Sequence, residues 1–198
     1  MNRFFSESAN SGKSKEEVVS STIRRLQYEQ SFFSQPATRS MSGIGIYDSR
    51  HNNLRDATAP GDYFVSAGNT SYGIPHGHAG IYATNSRNIE AVGKGKTARE
   101  VARNNSLACG KAYIYRVNTS QANRNKAVSR AYSYIGRGYN ANVISSNRND
   151  WGGLNCSQLV WAAYMYGAGI DIVPGAAFIA PSNLALSPIA KLCSTLNP

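Results

Sequence analysis

Long apolar runs are missing from this sequence of 198 residues. No stretch approaches the roughly 18 consecutive apolar residues of a membrane helix, which excludes a chain that crosses a membrane. The first twenty positions also hold no apolar segment of the kind that secretion signals need, so we expect no N-terminal signal peptide. Charged residues make up only 16% of the chain and hydrophobic residues 41%, without the charge density of a disordered chain. We therefore expect one compact folded domain with some additional length.

Acidic residues are few. The chain has 11 Asp and Glu against 21 Lys and Arg, which gives a formal net charge of +10 at pH 7. Such a field favours polyanionic partners, which include nucleic acid, anionic lipid and cell-wall polymer. The basic residues are scattered singly, and their closest group, Lys94, Lys96 and Arg99, is short. This distribution argues against a nucleic-acid partner, because a nucleic-acid-binding face needs clustered basic residues.

Cysteine is scarce as well. Cys109, Cys156 and Cys193 are odd in number and widely spaced, so neither a disulfide framework nor a closely spaced metal-binding pair is predicted. At least one of the three should be a free thiol. We expect no metal and no cofactor.

The chain divides into three parts. Residues 1–13 are polar and turn-rich, which predicts a flexible arm. Residues 14–60 begin with a capping box that opens an amphipathic helix over 15–33, and continue as an irregular connection. Residues 61–198 carry the pattern of a compact domain.

Short strands dominate the first half of that domain, each bounded by Gly, Asn or Ser, and they predict a small antiparallel sheet. They cover residues 62–68, 78–84, 88–93 and 111–117. Thr97 and Glu100 form a capping box that predicts a short helix near 98–104. An apolar stripe predicts a second helix over 123–135.

The last strong element is an apolar helix over 156–167, and its composition predicts a place in the centre of the fold. Cys156 lies in its first turn, after the glycine-rich stretch WGGLN. There the helix dipole and the unpaired N–H groups favour a thiolate and can hold an oxyanion. The alternative is that Cys156 is a small core residue, since free cysteines are often buried. Cys109 and Cys193 have no base near them in the sequence and favour this second interpretation.

Histidines number three, so a cysteine nucleophile has little choice of base. His78 opens an apolar strand, and a strand end beside a loop holds a base rigidly while letting it reach a cleft. His76 lies in a turn rich in Pro and Gly and is interpreted as a loop residue. His51 is interpreted as a surface residue.

Glu90 lies in the apolar strand NIEAV, where an unpaired buried carboxylate would be unfavourable, so we expect it to have a partner. If the preceding turn is centred on Thr84, His78 and Glu90 stand directly opposite each other, and the carboxylate can orient the imidazole. If the turn is centred on Ser86, the two residues separate. The alternative is a surface position for Glu90.

Five short motifs occur in an order that resembles one protein family. They are GDYF at 61–64, HAGIY at 78–82, IEA at 89–91, NCSQLVWAAY at 155–164 and PSNL at 181–184. Together they resemble the circularly permuted branch of NlpC-like cysteine hydrolases, the YiiX-like group, a branch that includes relatives of lecithin retinol acyltransferase. The histidine precedes the cysteine here, which is the permuted order. The resemblance covers about residues 60–190.

The resemblance implies an α+β, permuted papain-like (NlpC-like) fold, in which a small antiparallel sheet packs against a buried helix that carries the catalytic cysteine. It assigns Cys156 as nucleophile, His78 as base and Glu90 as the third residue, in agreement with the choice from the residues themselves. Family members also have a tyrosine near the oxyanion, and Tyr139 is the nearest match.

If Glu90 points away from His78, Asp150 and Asn155 are the next candidates for the orienting group, because they are close to Cys156 in sequence.

The resemblance also implies a cysteine peptidase or amidase that needs no cofactor. Its favoured substrate is the peptide stem of bacterial peptidoglycan, and the positive charge fits a polyanionic wall. We expect a monomer acting at the cell wall, either secreted or delivered as an antibacterial effector, with an immunity protein as a candidate partner. The alternatives are a lipid acyl hydrolase or acyltransferase, which would need an apolar tunnel and usually a membrane anchor, and a non-catalytic wall-binding domain.

Overall fold

The computed structural model describes residues 54–67, 70–71, 74–75, 77–142 and 147–196. Several predictions from the sequence lie outside these residues: the arm over 1–13, the helix over 15–33, His51 and His76. The predictions for the compact domain lie almost entirely inside them.

A single antiparallel sheet forms the centre of the domain. Its strands are β1 (Tyr63–Ser66), β4 (His78–Tyr82), β5 (Arg87–Glu90), β6 (Arg99–Ala102), β7 (Ala112–Val117) and β8 (Ala190–Leu196). They lie in the order β6-β5-β4-β1-β7-β8, and a separate hairpin pairs β2 (Thr70–Ser71) with β3 (Ile74–Pro75). The predicted antiparallel sheet is therefore present, with β1 and β4 at its centre.

In the described ranges, three helices accompany the sheet: α1 (Gln121–Tyr132), α2 (Cys156–Ala168) and α3 (Pro181–Ala185). All residues of α2 from Cys156 to Tyr164 are buried, as its composition predicted. Within the described residues, none of the helices has the length and apolar character needed to cross a membrane.

Two apolar clusters hold the layers together, one on each side of the sheet. Alternate strand residues such as Val65 and Ile81 belong to the cluster that contains most of α2. Their neighbours Phe64 and Tyr82 belong to a second cluster with Leu54 and other buried residues. Both faces of the central strands are covered, because successive side chains point to opposite sides of a strand. The fold is α+β, a sheet packed against a buried helix.

The prediction of a short helix near 98–104 is wrong. Residues Arg99–Ala102 form the edge strand β6, which pairs with β5, and a 3-10 turn follows at Arg103–Asn105. The carboxylate of Glu100 does not cap a helix; it accepts a hydrogen bond of 2.9 Å from Arg87 Nε. Pairing with β5 satisfies the backbone groups on one side of all four residues of β6, whereas a capping box satisfies only a helix end.

Smaller differences concern the ends of the two longer helices. The helix predicted over 123–135 begins at Gln121, with Ser120 as its N-cap, and ends at Tyr132. Helix α2 continues past Gly167 and ends at Ala168. Gly167 lies inside the helix because α1 packs tightly there: a Cβ at this position would lie 2.7 Å from the carbonyl oxygen of Lys126.

Candidate active site

Cys156 is the first residue of α2, and a complete capping box sets the start of this helix. The side chain of Asn155 accepts a hydrogen bond of 2.8 Å from the Gln158 N–H, and Asn155 N–H donates to the Gln158 side chain at 3.3 Å. The box satisfies N–H groups that a helix end leaves without partners. Asn155 thus serves as an N-cap, which removes it as a candidate for orienting the histidine. Only 4% of Cys156 is exposed.

Close backbone packing brings a second loop to the start of α2. Leu154 N–H donates to the carbonyl oxygen of Gly138 at 3.0 Å. A Cβ on Gly153 would lie 2.8 Å from the same oxygen and 3.0 Å from the carbonyl carbon of Tyr139. The second glycine of WGGLN is therefore needed for this approach, which positions Tyr139 beside Cys156.

Tyr139 forms a hydrogen bond with Cys156. Burial raises the pKa of the Tyr139 phenol, and the charge of Cys156 and the hydrogen bond to it raise this pKa further. The phenol is consequently protonated at neutral pH and keeps its O–H as a donor. The structure thus brings Tyr139 and Cys156 together, as the resemblance implied.

His78 is the first residue of β4 and is only 4% exposed. Its imidazole packs against the ring of Phe64, with ring centroids 5.6 Å apart. Phe64 is paired with Gly80 across β1 and β4, and a Cβ on Gly80 would lie 2.6 Å from Phe64 Cε1. The glycine of HAGIY therefore leaves space for the aromatic ring that supports the imidazole.

Glu90 ends β5, is fully buried and lies against His78, with 2.9 Å between Glu90 Oε2 and His78 Nε2. The expected contact between the two side chains is confirmed, and a surface position for Glu90 is excluded. The expected register is corrected, because the pairs Ile81–Ile89 and Tyr82–Asn88 centre the turn on Asn85. Glu90 is diagonal to His78 on the same face of the sheet, and diagonal neighbours are within reach of long side chains.

Besides His78, three residues hold the Glu90 carboxylate. Arg99 donates to Oε1 from Nη2 at 2.9 Å and from Nε at 3.3 Å. Ser106 Oγ donates to Oε2 at 2.6 Å, and Leu107 N–H donates to the same oxygen at 3.3 Å. Burial raises the pKa of Glu90, but the bonds from His78, Ser106 and Arg99 outweigh it and lower the pKa to about 2. Glu90 is therefore ionised at neutral pH.

His78 is held between this carboxylate and Cys156. Burial lowers the pKa of His78, but hydrogen bonds to Cys156 and Glu90, and the charges of both, raise it to about 10. Since Glu90 binds Nε2, the nitrogen left for the Cys156 sulfur is Nδ1. A cationic imidazole beside a cysteine favours the thiolate, which is the nucleophilic form.

The remaining candidates from the sequence lie outside this arrangement. Asp150 forms an ion pair with Arg130 and accepts a hydrogen bond of 3.2 Å from the Tyr134 hydroxyl, so it does not orient His78. Cys109 is half-buried, and Cys193 is exposed on β8. In the part of the chain that the structure describes, no group of three or more His, Cys, Asp or Glu side chains is placed to hold a metal ion.

Arg99 and Ser106 contact Glu90 in the candidate site but were not predicted from the sequence. The signal for Arg99 was available: with residues 99–102 taken as a strand, Arg99 pairs directly with Glu90 across β5 and β6. Opposite charges at paired positions are a common source of sheet stability. No comparable pattern marks Ser106, which follows the 3-10 turn.

The chain is similar to known proteins in sequence and in fold. The curated protein YycO of Bacillus subtilis (strain 168), itself described as uncharacterized, is 32% identical over 117 residues, which span 58% of this chain and 46% of YycO. The chain therefore matches about half the length of that relative. The crystal structure of metalloprotein YiiX from Escherichia coli O157:H7 superposes with a TM-score of 0.52 over 71% of this chain and 98% of that one. At 16% identity this second likeness shows the fold alone.

Residues 61–182 match the family described as permuted papain-like amidase enzyme, YaeF/YiiX, C92 family. The match contains His78, Glu90, Tyr139 and Cys156, and it covers more than half of the chain. A cysteine-type hydrolase on a circularly permuted papain-like fold accounts for both the match and the order of histidine before cysteine. The chain belongs to the permuted papain-like amidase family.

Proposed function

We propose that this protein hydrolyses amide bonds in the peptide stems of bacterial peptidoglycan, with Cys156 as nucleophile, His78 as acid and base, and Glu90 as the residue that orients His78. One observation carries the proposal: a buried carboxylate lies 2.9 Å from an imidazole that is hydrogen-bonded to a cysteine at a helix N-terminus. Acyl transfer requires a nucleophile beside a base and an orienting group beside that base, and the three side chains lie in this order.

The reaction begins with attack of the Cys156 thiolate on the amide carbonyl carbon, which forms a C–S bond. N–H groups at the start of α2 stabilise the oxyanion, and the Tyr139 hydroxyl is a further donor beside the sulfur. His78 gives its proton to the amine nitrogen, the C–N bond breaks and the amine leaves. Water then attacks the thioester while His78 takes its proton, and cleavage of the C–S bond releases a carboxylic acid and restores the thiolate.

The substrate assignment rests on charge and on the family. A net charge of +10 attracts a carboxylate-rich polymer, and peptide stems supply both carboxylates and amide bonds. The family is described as amidases. The site of action that follows is the bacterial cell wall, whereas delivery as an antibacterial effector and an immunity partner stay predictions.

Digestion of purified peptidoglycan tests this proposal. The protein is incubated with sacculi, and the soluble fragments are identified by mass spectrometry, with Cys156→Ala as the matched control. New amino and carboxyl ends within the stems, made only by the wild-type protein, are expected. Absence of fragments, or equal fragments from Cys156→Ala, would overturn the proposal.

Two further assays test the alternatives. Release of fatty acid from phospholipid vesicles without cleavage of peptidoglycan would favour a lipid acyl hydrolase. Sedimentation with sacculi without any cleavage would favour a non-catalytic wall-binding domain. Either result contradicts the proposed amidase activity.

A further inference from the structure

The loop that follows β6 closes over Glu90, and the two oxygens of its carboxylate have different partners. Oε2 faces His78 from β4 and the Ser106 hydroxyl and Leu107 N–H from the loop. Oε1 faces only Arg99, from the edge strand β6, among the described residues. The oxygen that binds the imidazole is therefore the one that the loop holds.

The two sets of partners differ in strength. The side chain of Arg99 is 41% exposed, so solvent and salt screen its ion pair with Glu90. Ser106 is fully buried, and its Oγ–Oε2 distance of 2.6 Å is in the range of strong hydrogen bonds to charged oxygens. The uncharged hydroxyl thus holds the carboxylate more firmly than the guanidinium does.

Anchors at the other end of the loop fix the position of this hydroxyl. Arg103 N–H donates to the carbonyl oxygen of Ser86 at 2.9 Å, which ties the loop to the turn between β4 and β5. The Arg103 side chain is paired with the carboxylate of Asp56. Ser106 N–H in turn donates to the Arg103 carbonyl oxygen at 3.2 Å. The loop is attached to the same two strands that carry His78 and Glu90.

We infer that Ser106 is a positioning residue of the hydrolase: its hydroxyl holds Glu90 Oε2 against His78 and prevents the carboxylate from turning toward Arg99. This inference rests on the proposed function, because it assumes that His78 acts as acid and base. A glutamate side chain has three rotatable bonds, and the other charged donor near Glu90 in the described part of the chain is Arg99 on the edge strand. Without Ser106 the carboxylate is free to move to that side.

Two effects of removing the hydroxyl have opposite signs, which makes the inference testable. Losing a donor concentrates negative charge on Oε2 and would raise the pKa of His78. If Oε2 also moves away from His78, their hydrogen bond weakens and the pKa of His78 falls. A positioning role predicts that the second effect is larger.

The experiment measures the titration of His78 by NMR of the imidazole nitrogens in the full chain, with His78→Gln used for assignment. In Ser106→Ala we expect the His78 midpoint to fall by about one pH unit, which corresponds to a hydrogen bond to a charged group. We expect kcat on peptidoglycan fragments to fall about tenfold for the same reason, with KM little changed.

Ser187→Ala is the matched control. Ser187 is also buried, and its hydroxyl donates to the carbonyl oxygen of Ile172 at 2.6 Å, away from the site. It should lose stability as Ser106→Ala does, with the His78 midpoint unchanged. Ser106→Cys keeps a side chain of similar volume with a weaker hydrogen-bond donor, so its His78 midpoint should lie between those of the wild-type protein and Ser106→Ala. This variant replaces Ser106→Ala in the experiment if Ser106→Ala does not fold.

The outcomes separate this inference from the proposed function. A wild-type midpoint near the ordinary value for histidine, unaffected by Cys156→Ala, would contradict the coupled Cys156–His78–Glu90 site itself. A raised wild-type midpoint that stays the same or rises further in Ser106→Ala and Ser106→Cys would overturn only the positioning role. A lower His78 midpoint in both Ser106→Ala and Ser106→Cys, together with restored activity in Ser106→Thr, would support the positioning role of Ser106.

Discussion

Glu90 stands opposite Gly80, not opposite His78, when the register of β4 and β5 is continued along the sheet. Its carboxylate nevertheless lies 2.9 Å from the imidazole, because the two side chains share one face and the residue between them has no side chain. The Phe64 ring lies against that glycine and packs on His78. Because Gly80 has no Cβ, the Phe64 ring can pack on His78 and the Glu90 carboxylate can reach the imidazole.

Gly80→Ala should disturb both contacts. The new Cβ would lie 2.6 Å from Phe64, so the ring must move and its packing on His78 is lost. We expect a loss of about 1–3 kcal/mol in the free energy of unfolding, as for other overpacked cores. Denaturant unfolding measures this change, and the rate of hydrolysis should fall with it. Unchanged stability and activity would show that the ring adapts freely.

Gly153→Ala should displace Tyr139 from the start of α2. A Cβ there collides with backbone atoms of Gly138 and Tyr139, which cannot move as a flexible side chain does. Turnover should fall together with stability. Gly138→Ala is the matched control, since a Cβ at Gly138 has open space and no left-handed φ to strain it. Equal losses in the two variants would argue against this account of the WGGLN motif.

Stability should depend on pH through the contact between His78 and Glu90. The pKa of His78 is raised from 6.5 to about 10, so its contribution is complete below pH 6.5 and is lost as the pH rises through 10. The pKa of Glu90 is lowered from 4.5 to about 2, so its contribution is complete above pH 4.5 and is lost as the pH falls through 2. The contact between His78 and Glu90 contributes to both pKa shifts, and its contribution to stability is complete between pH 4.5 and 6.5.

Unfolding by denaturant across the pH range measures this dependence, with His78→Gln for comparison. The difference in stability between the wild-type protein and His78→Gln should be largest in that window and decrease on both sides. A difference that grows toward alkaline pH would have the wrong sign for an imidazolium held by a carboxylate.

Alkylation at mildly acidic pH should select Cys156. His78 is hydrogen-bonded to Cys156, and an imidazolium beside a cysteine activates it as a nucleophile. Iodoacetamide should therefore label Cys156 first, although Cys193 is the more exposed. Peptide mapping by mass spectrometry identifies the labelled residue. Earlier labelling of Cys193 would mean that exposure outweighs activation.

Cys156, His78 and Glu90, which the structure brings together as a candidate site, could be named from the sequence because few alternatives existed and because the family resemblance matches the same positions. Three histidines and a few acids left little choice of base and partner, and the apolar pattern placed His78 and Glu90 on neighbouring strands. Asn155 and Cys156 stand at the start of an apolar helix, which local sequence determines. The α+β class was implied by the resemblance, and the short strands and the apolar helix agree with it.

The surroundings of Glu90 could not be predicted in the same way. The capping-box pattern at Thr97 and Glu100 is local, but β6 depends on pairing with β5. A helix over these residues would not pair Arg99 with Glu90, so the local pattern gives no indication of this contact. Strand β8 was missed as well, since it is mostly exposed and is defined by its pairing with β7.

The central claim is that Cys156 and His78 perform the hydrolysis, and turnover of a peptidoglycan stem peptide by single variants tests it most directly. Cys156→Ala and His78→Ala should each abolish turnover, because both act on the covalent step, while circular dichroism and melting temperature show an intact fold. Glu90→Ala should only reduce the rate, since water can partly replace an orienting group. Wild-type turnover by Cys156→Ala would contradict the account.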